Sequence, residues 1–195
     1  MKHIFIVVLM FAGINGFAQQ HQVGLRLGDP YGLSLKTDLN EHYAAEVILG
    51  RGSPNSSQYY RRTFDQNKPL SSAIYYGQQV SGAFSLQARL AYEESLNGEF
   101  DIAAGNLKGF AGFGVQLRNV AVSYFYHTPN GGENASANLS ERSDIDFGPE
   151  GFVGASYLFE DLPVVLFSEL GLFMELMNRI GHLKVQGAIG ARYRF

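Results

Sequence analysis

Cysteine and tryptophan are absent from the 195 residues. Without a thiol there is no disulfide, no thiolate metal site and no cysteine nucleophile. Charge of one sign is also lacking: 15 Lys and Arg stand against 18 Asp and Glu, a net −3, so there is no electrostatic footprint for nucleic acid. Long hydrophobic runs are missing beyond the first twenty residues. A membrane helix needs about 18 or more consecutive apolar residues, and the best later stretch, LPVVLFSELGLFMELM, is interrupted by Glu169 and Glu175. Glycine (23), phenylalanine (15) and tyrosine (11) are plentiful instead, a mixture that suits strands with close backbone approaches better than a helical bundle. The length fits one domain.

The start of the chain, MKHIFIVVLMFAGINGFAQQ, has a basic residue at Lys2, an apolar run from Ile4 to Phe11, and Gly16-Phe17-Ala18 as a small-x-small cleavage site. That is the form of a secretory signal, with removal expected after Ala18. Residues 1–18 are read as a signal peptide and 19–195 as a single domain. No cysteine follows, which rules out a lipoprotein anchor. An exported chain without a spanning helix is either soluble or a closed membrane barrel.

Alternation with a period of two recurs along the chain. Val23, Leu25 and Leu27 oppose Arg26. Leu33, Leu35 and Leu39 oppose Ser34, Lys36 and Asp38, after the turn signal Gly28-Asp29-Pro30-Tyr31-Gly32. Tyr43, Ala45, Val47 and Leu49 oppose Glu46. VSGAFSLQARLAYE sets Val80, Gly82, Phe84, Leu86, Ala88, Leu90 and Tyr92 against Ser81, Ser85, Gln87, Arg89 and Glu93. LKGFAGFGVQLR, EGFVGASYLF, VVLFSELGLFMEL and the terminal KVQGAIGARYRF bring the segments to eight. Most are close to the ~9–11 residues with which a tilted strand crosses a bilayer.

The apolar faces of these segments carry no Asp, Glu, Lys or Arg, in a chain that is 17% charged. A lipid-facing wall imposes that exclusion, because a lysine or arginine at the midplane costs roughly 2–4 kcal/mol. The expected fold is therefore all-β: a transmembrane antiparallel up-and-down β-barrel of eight strands. The opposite faces hold Arg26, Lys36, Glu46, Arg89, Lys108, Glu150, Glu169, Glu175, Lys184, Arg192 and Arg194. In a barrel this narrow they point into a lumen filled by side chains and must pair there. Glu169, Glu175, Lys184, Arg192, Arg89 and Arg194 are the expected lumen ion-pair residues. A hairpin through MNRIGH would set Glu175 opposite Lys184 and Glu169 near Arg192 or Gly190.

Tyr43, Tyr92, Tyr157, Phe159, Tyr193 and Phe195 fall at one rim and form an expected aromatic girdle on the periplasmic side. Residues 51–78 and 119–144 are the long outer connections. VAVSYFYHT alternates again with its parity reversed after Arg118-Asn119, which leaves a ten-stranded barrel open, its extra strand drawn from residues 57–78. ESLNGEFDIAAGN is long for an inner turn. Pro149 cannot donate to a ladder and is expected at the outer rim, above the membrane.

Four stretches, GLRLGDPYGLSLKTDL, AAEVILGRG, GFVGASYLFEDLPVVLFSEL and GARYRF, resemble small outer-membrane β-barrel proteins of two-membrane bacteria, of the OmpA/OmpX-like kind. The resemblance implies the outer membrane as location and the barrel as fold; outer-membrane lipid and lipopolysaccharide are the expected surroundings, and the barrel is expected to be a monomer. The resemblance also implies that Phe195, with Tyr193 two residues before it, is the signal read by the barrel-assembly machinery. It implies little about activity.

Phe125-Tyr126-His127-Thr128-Pro129-Asn130-Gly131 resembles the F-x-H-x-S-N motif of lipid A deacylases, but Pro129 stands where the serine nucleophile should be and has no hydroxyl to activate. Thr128 is turned away from the side that His127 faces. No catalytic residue is expected. His21, His42 and His182 lack metal-ligand spacing, and no metal or cofactor is expected. In RGSPNSSQYYRRTFDQNK, Arg51, Arg61, Arg62 and Lys68 stand beside Tyr59 and Tyr60, a mixture suited to phosphorylated glycolipid or glycan at the outer surface. A soluble secreted barrel with an apolar, ligand-holding interior is the same alternation turned inside out.

Overall fold

The computed structural model describes residues 20–128 and 138–195, so the expected signal segment and Pro129–Gly131 of the deacylase-like stretch lie outside the described residues. Eight strands follow one another: β1 (His21–Gly28), β2 (Tyr31–Asp38), β3 (Tyr43–Arg51), β4 (Ile74–Ser95), β5 (Asn106–His127), β6 (Asn138–Leu158), β7 (Val164–Met174) and β8 (Leu183–Arg194). One helix, α1 (Ser57–Gln66), interrupts the connection between β3 and β4. Each strand pairs antiparallel with the next, and β8 closes on β1 with Leu25 opposite Ala191, giving a closed up-and-down barrel. Closure leaves no unpaired edge where all eight strands run side by side.

Local chemistry sets the turns. Asn40 accepts the backbone N–H groups of His42 and Tyr43 at 2.9 and 2.8 Å and so folds the β2–β3 turn. The long ESLNGEFDIAAGN connection is a compact turn held by Asn97, which donates to the Gly105 carbonyl at 2.9 Å and accepts from the Leu107 N–H at 2.7 Å. Gly28 needs its lack of a side chain twice over: its φ is +142°, and a Cβ there would lie 2.1 Å from the Gly187 carbonyl oxygen.

Burial is inside out. Leu25, Leu170, Phe113 and Val185 are 64 to 75% exposed, whereas Arg26, Arg89, Arg118 and Glu169 are at most 4% exposed. The apolar residues form a belt around the outside of the barrel, and the charged residues fill it. β3 from Tyr43 to Arg51 spans about 26 Å along the strand, or about 20 Å at a tilt of ~40°. That approaches the ~25 Å apolar band of membrane barrels.

The reversed parity beyond Arg118 marks neither a turn nor a new strand. β5 runs straight through it, paired with β4 and β6 to its end. What changes is which face is apolar. Below that point Phe113, Val115 and Leu117 face out and Gln116 and Arg118 face in. Above it Val120, Val122 and Tyr124 face in and are buried. The inner face turns apolar because α1 packs there: Tyr59, Tyr60 and Phe64 form a small core with Ala83, Val120, Val122 and Tyr124. A bulge between Val80 and Gly82 turns Val80 toward this core as well, so it does not share the outer face of Phe84. Eight strands, not ten, result. The expected loops at 51–78 and 119–144 shrink accordingly, since β4 starts at Ile74, β5 extends to His127 and β6 starts at Asn138.

Three adjacent strands, β4, β5 and β6, thus outreach the other five at the end away from Phe195, forming a crest that carries α1. Pro149 is not above the apolar belt. It lies within β6, paired with Val115, one residue before Glu150, where pairing to β7 stops, and a missing N–H costs nothing on that side.

Candidate functional site: the charged lumen and its capped mouth

The lumen is built from glycines upward. Gly154, Gly112 and Gly190 sit directly across from Phe110, Phe152 and Phe167 on the neighbouring strands. The missing side chains make room for the rings, since a Cβ on Gly154 or Gly190 would fall 2.4 Å from a ring carbon. Two rings then carry arginines: Arg89 lies 3.5 Å over Phe152, and Arg192 lies 3.7 Å over Phe167. Stacking of this kind favours a planar guanidinium over an ammonium. Gly154→Val should therefore destabilise the barrel by ~1–3 kcal/mol through overpacking, read as a lower urea midpoint in refolding from detergent micelles.

The stacked arginines bind acids across the barrel. Arg26 and Arg89 both reach Oε1 of Glu169, at 2.7 and 2.8 Å. Arg89 also lies 3.5 Å from Glu46 and 3.4 Å from Glu150. Arg192 binds Glu46 and donates to Ser34 at 2.8 Å. Three arginines and three glutamates from six strands form one connected network, and Gln87 donates to Glu150 at 2.7 Å. Above it Gln186 donates to Gln116 and Gln116 to Ser85. Toward the end that holds His21 and Phe195, Glu93 binds Lys36 and Lys108 beside a cavity of about 60 Å³. Unpaired charge in such a lumen costs several kcal/mol, so the near balance of signs is a condition for folding.

At the opposite mouth α1 acts as a cap. Ser56 starts it by accepting from the Tyr59 N–H at 3.3 Å. Tyr59 reaches across and donates to Glu175, 3.0 Å away, with Asp146 at 3.4 Å. His182 and Arg179, from the β7–β8 loop, lie 4.9 Å from the Tyr59 ring. Burial, with Asp146 and Glu175 beside it, pushes the Tyr59 phenol up, so it remains a donor. Burial, with Asp146 nearby, also pushes the Glu175 carboxyl up. Burial and the Arg179 charge lower His182. In the β1–β2 turn burial works against ionisation of Asp29, but Lys184 at 2.7 Å and Ser53 outweigh it and hold the carboxyl below its ordinary value.

The expected lumen residues Glu169, Arg89 and Arg192 thus meet in the central network. The expected hairpin pairs do not form. The register sets Lys184 opposite Phe173 and Glu169 opposite Ala188. Glu175 lies beyond the end of β7 and meets Tyr59, while Lys184 takes Asp29. Arg192 takes Glu46 rather than Glu169. Arg194 faces the near-end cavity and makes no ion pair among the described residues. The partners Arg26, Glu46 and Glu150 had the right parity in the sequence, but which strands face one another across a barrel is not a local property.

The girdle residues lie together at the near end. Tyr43 packs on Tyr92 at 5.5 Å, Tyr157 on Phe159 at 5.0 Å and Tyr193 on Phe195 at 6.5 Å. The outer-surface set divides. Tyr59 and Tyr60, 2% and 1% exposed, are core residues of the cap and offer nothing to a ligand outside. They occupy the inner stripe of α1, whereas Arg61 and Arg62 occupy its exposed side. Arg51 is exposed and donates to the Ser81 carbonyl, and Lys68 lies 3.8 Å from Asp65. His127 ends β5, opposite Ile74. The charged lumen does not suit an apolar small ligand, as the soluble-carrier alternative requires.

No family model and no curated protein matches the chain. Among solved structures it is similar to the N-terminal β-barrel domain of Pseudomonas aeruginosa OprF, with 11% identity and a TM-score of 0.48, covering 91% of this chain and 96% of that one. It is similar to a major outer membrane protein from Thermus thermophilus, with 14% identity and a TM-score of 0.49, covering 92% and 100%. A third is the Ail attachment invasion locus protein of Yersinia pestis in complex with the heparin analogue sucrose octasulfate, with 10% identity and a TM-score of 0.31, covering 91% and 95%. These neighbours are outer-membrane β-barrel proteins. The eight-stranded closure of the present chain is given by its own ladder.

Proposed function

We propose that this chain is an integral outer-membrane barrel whose lumen is closed to solutes and whose role is at the outer face of the envelope, through the α1-bearing crest. The carrying observation is the inverted burial, with leucine, valine and phenylalanine outside and paired arginine and glutamate inside. In water an apolar belt of this extent would aggregate. Against hydrocarbon it is the favourable arrangement, and the backbone is satisfied by closure. The end with His21 and Phe195 faces the periplasm, where its tyrosines meet the interface. Outer-membrane lipid and lipopolysaccharide surround the belt, β8 with Tyr193 and Phe195 engages the barrel-assembly machinery, and the barrel acts as a monomer. Arg51, Arg61, Arg62 and Lys68 supply the cations that an outer anionic glycan or glycolipid would meet. No acyl-transfer role is assigned to His127.

Fractionation tests the location. The processed chain should sediment with outer membranes, resist extraction by salt and require detergent for release. On a gel its unheated form should run ahead of its boiled form. Recovery in the aqueous periplasmic extract without detergent would overturn the reading.

A further inference from the structure

The loop between β7 and β8 has an unusual side-chain makeup for a segment at the outer mouth. Its tip presents Ile180, 81% exposed, and Met177, 55% exposed, with Leu183 at 55% where β8 begins. These residues are not isolated. They follow on in the chain from the outward belt of Leu172, Met174 and Val185, and Leu176, 42% exposed, lies between; the exposed Asn178 interrupts the apolar run and donates to the Ile145 carbonyl of β6. On the outward face of β5, Asn119, Ala121 and Ser123 follow Leu117. The loop also carries a cation. Arg179 lies 4.9 Å from the face of Tyr59 and has no carboxylate partner within ion-pair distance among the described residues. A groove runs beside it, lined by Gln66, Met177, Arg179, Ile180, His182 and Leu183.

We infer that this loop is a lipid-seating element: Met177, Ile180 and Leu183 enter the acyl region of the outer leaflet, and Arg179 faces the phosphate of an anionic lipid. The occupant is lipid because the patch continues the belt already assigned to hydrocarbon; the inference rests on the membrane reading above. Apolar residues on such a segment bind in proportion to the area they bury, with a basic residue adding attraction to anionic headgroups. A guanidinium held on an aromatic face matches phosphate geometry better than a mobile ammonium would. The barrel is then seated unevenly, with the lipid surface high against β7 and β8 and low against the crest.

The absence of tryptophan provides a clean probe. Single variants Ile180→Trp, Tyr76→Trp and Leu25→Trp are refolded into vesicles of phosphatidylcholine with or without phosphatidylglycerol. Tyr76 is the crest control, 78% exposed, and Leu25 reports the belt. Lipids brominated on their acyl chains should quench the loop indole of Ile180→Trp and the belt indole of Leu25→Trp at least several-fold more than the crest indole of Tyr76→Trp. Phosphatidylglycerol should shift the loop indole's emission to the blue, and adding Arg179→Gln should abolish that shift. If the loop indole is quenched no more than the crest indole while the belt indole is quenched, the seating inference fails and the membrane reading stands. If the belt indole is not quenched either, the membrane reading itself fails. An unchanged blue shift in the Arg179→Gln background would remove the phosphate contact from the proposal.

Discussion

Arg89→Ala should cost the barrel ~3–5 kcal/mol, the largest loss expected from any single lumen side chain. Arg89 is the only cation within 4 Å of Glu150 among the described residues, shares Glu169 with Arg26 and Glu46 with Arg192, and fills the space over Phe152. Truncation leaves Glu150 with only the Gln87 amide and opens a void on the ring. The expected readout is loss of the fast-migrating unheated band at a much lower urea concentration. Arg89→Met should restore the volume but not the charge. Combining it with Glu150→Gln should recover part of the deficit, with a coupling of ~0.5–3 kcal/mol between the two sites. Equal stability of Arg89→Met with and without Glu150→Gln would show that the network is not coupled as its geometry requires.

On the outer face one strand supplies both the test and its control. Val115→Arg on β5 should cost ~2–4 kcal/mol, because the side chain projects into hydrocarbon. Ala121→Arg, on the same face of the same strand six residues on, should stay within about 0.5 kcal/mol, because the strand has by then emerged. Unfolding of both variants from lipid vesicles in a denaturant series measures the difference. Two equal costs would contradict the exit level set by the change of face at Arg118 and Asn119.

Much of the wall was legible in the sequence because alternation is local: each segment from Val23 to Phe195 declares its two faces without reference to any other. The lumen was legible in parity and not in partnership. Glu175 and Lys184 share a hairpin and a face, yet the turn sets them out of step, and Asp29 and Tyr59 are the nearer partners. Such pairings depend on the stagger of the closed sheet, which no single segment encodes. The parity reversal in VAVSYFYHT was visible as a signal. Its meaning lay elsewhere, in the apolar stripe of Tyr59, Tyr60 and Phe64 that gives an extramembrane sheet something to cover. Read as surface recognition residues, those tyrosines lacked one fact, that QYYRRTF is helical and places them on its inner side.

The unequal strand lengths bear on reach. From Asn119 to His127, β5 rises about 26 Å along its own direction, whereas the headgroup zone on either side of the hydrocarbon is only about 5–8 Å deep. In the membrane reading proposed above, the three tall staves clear that zone and hold their helix aloft on one flank. Under the same reading, whatever meets the barrel clear of the lipid meets it on this flank alone.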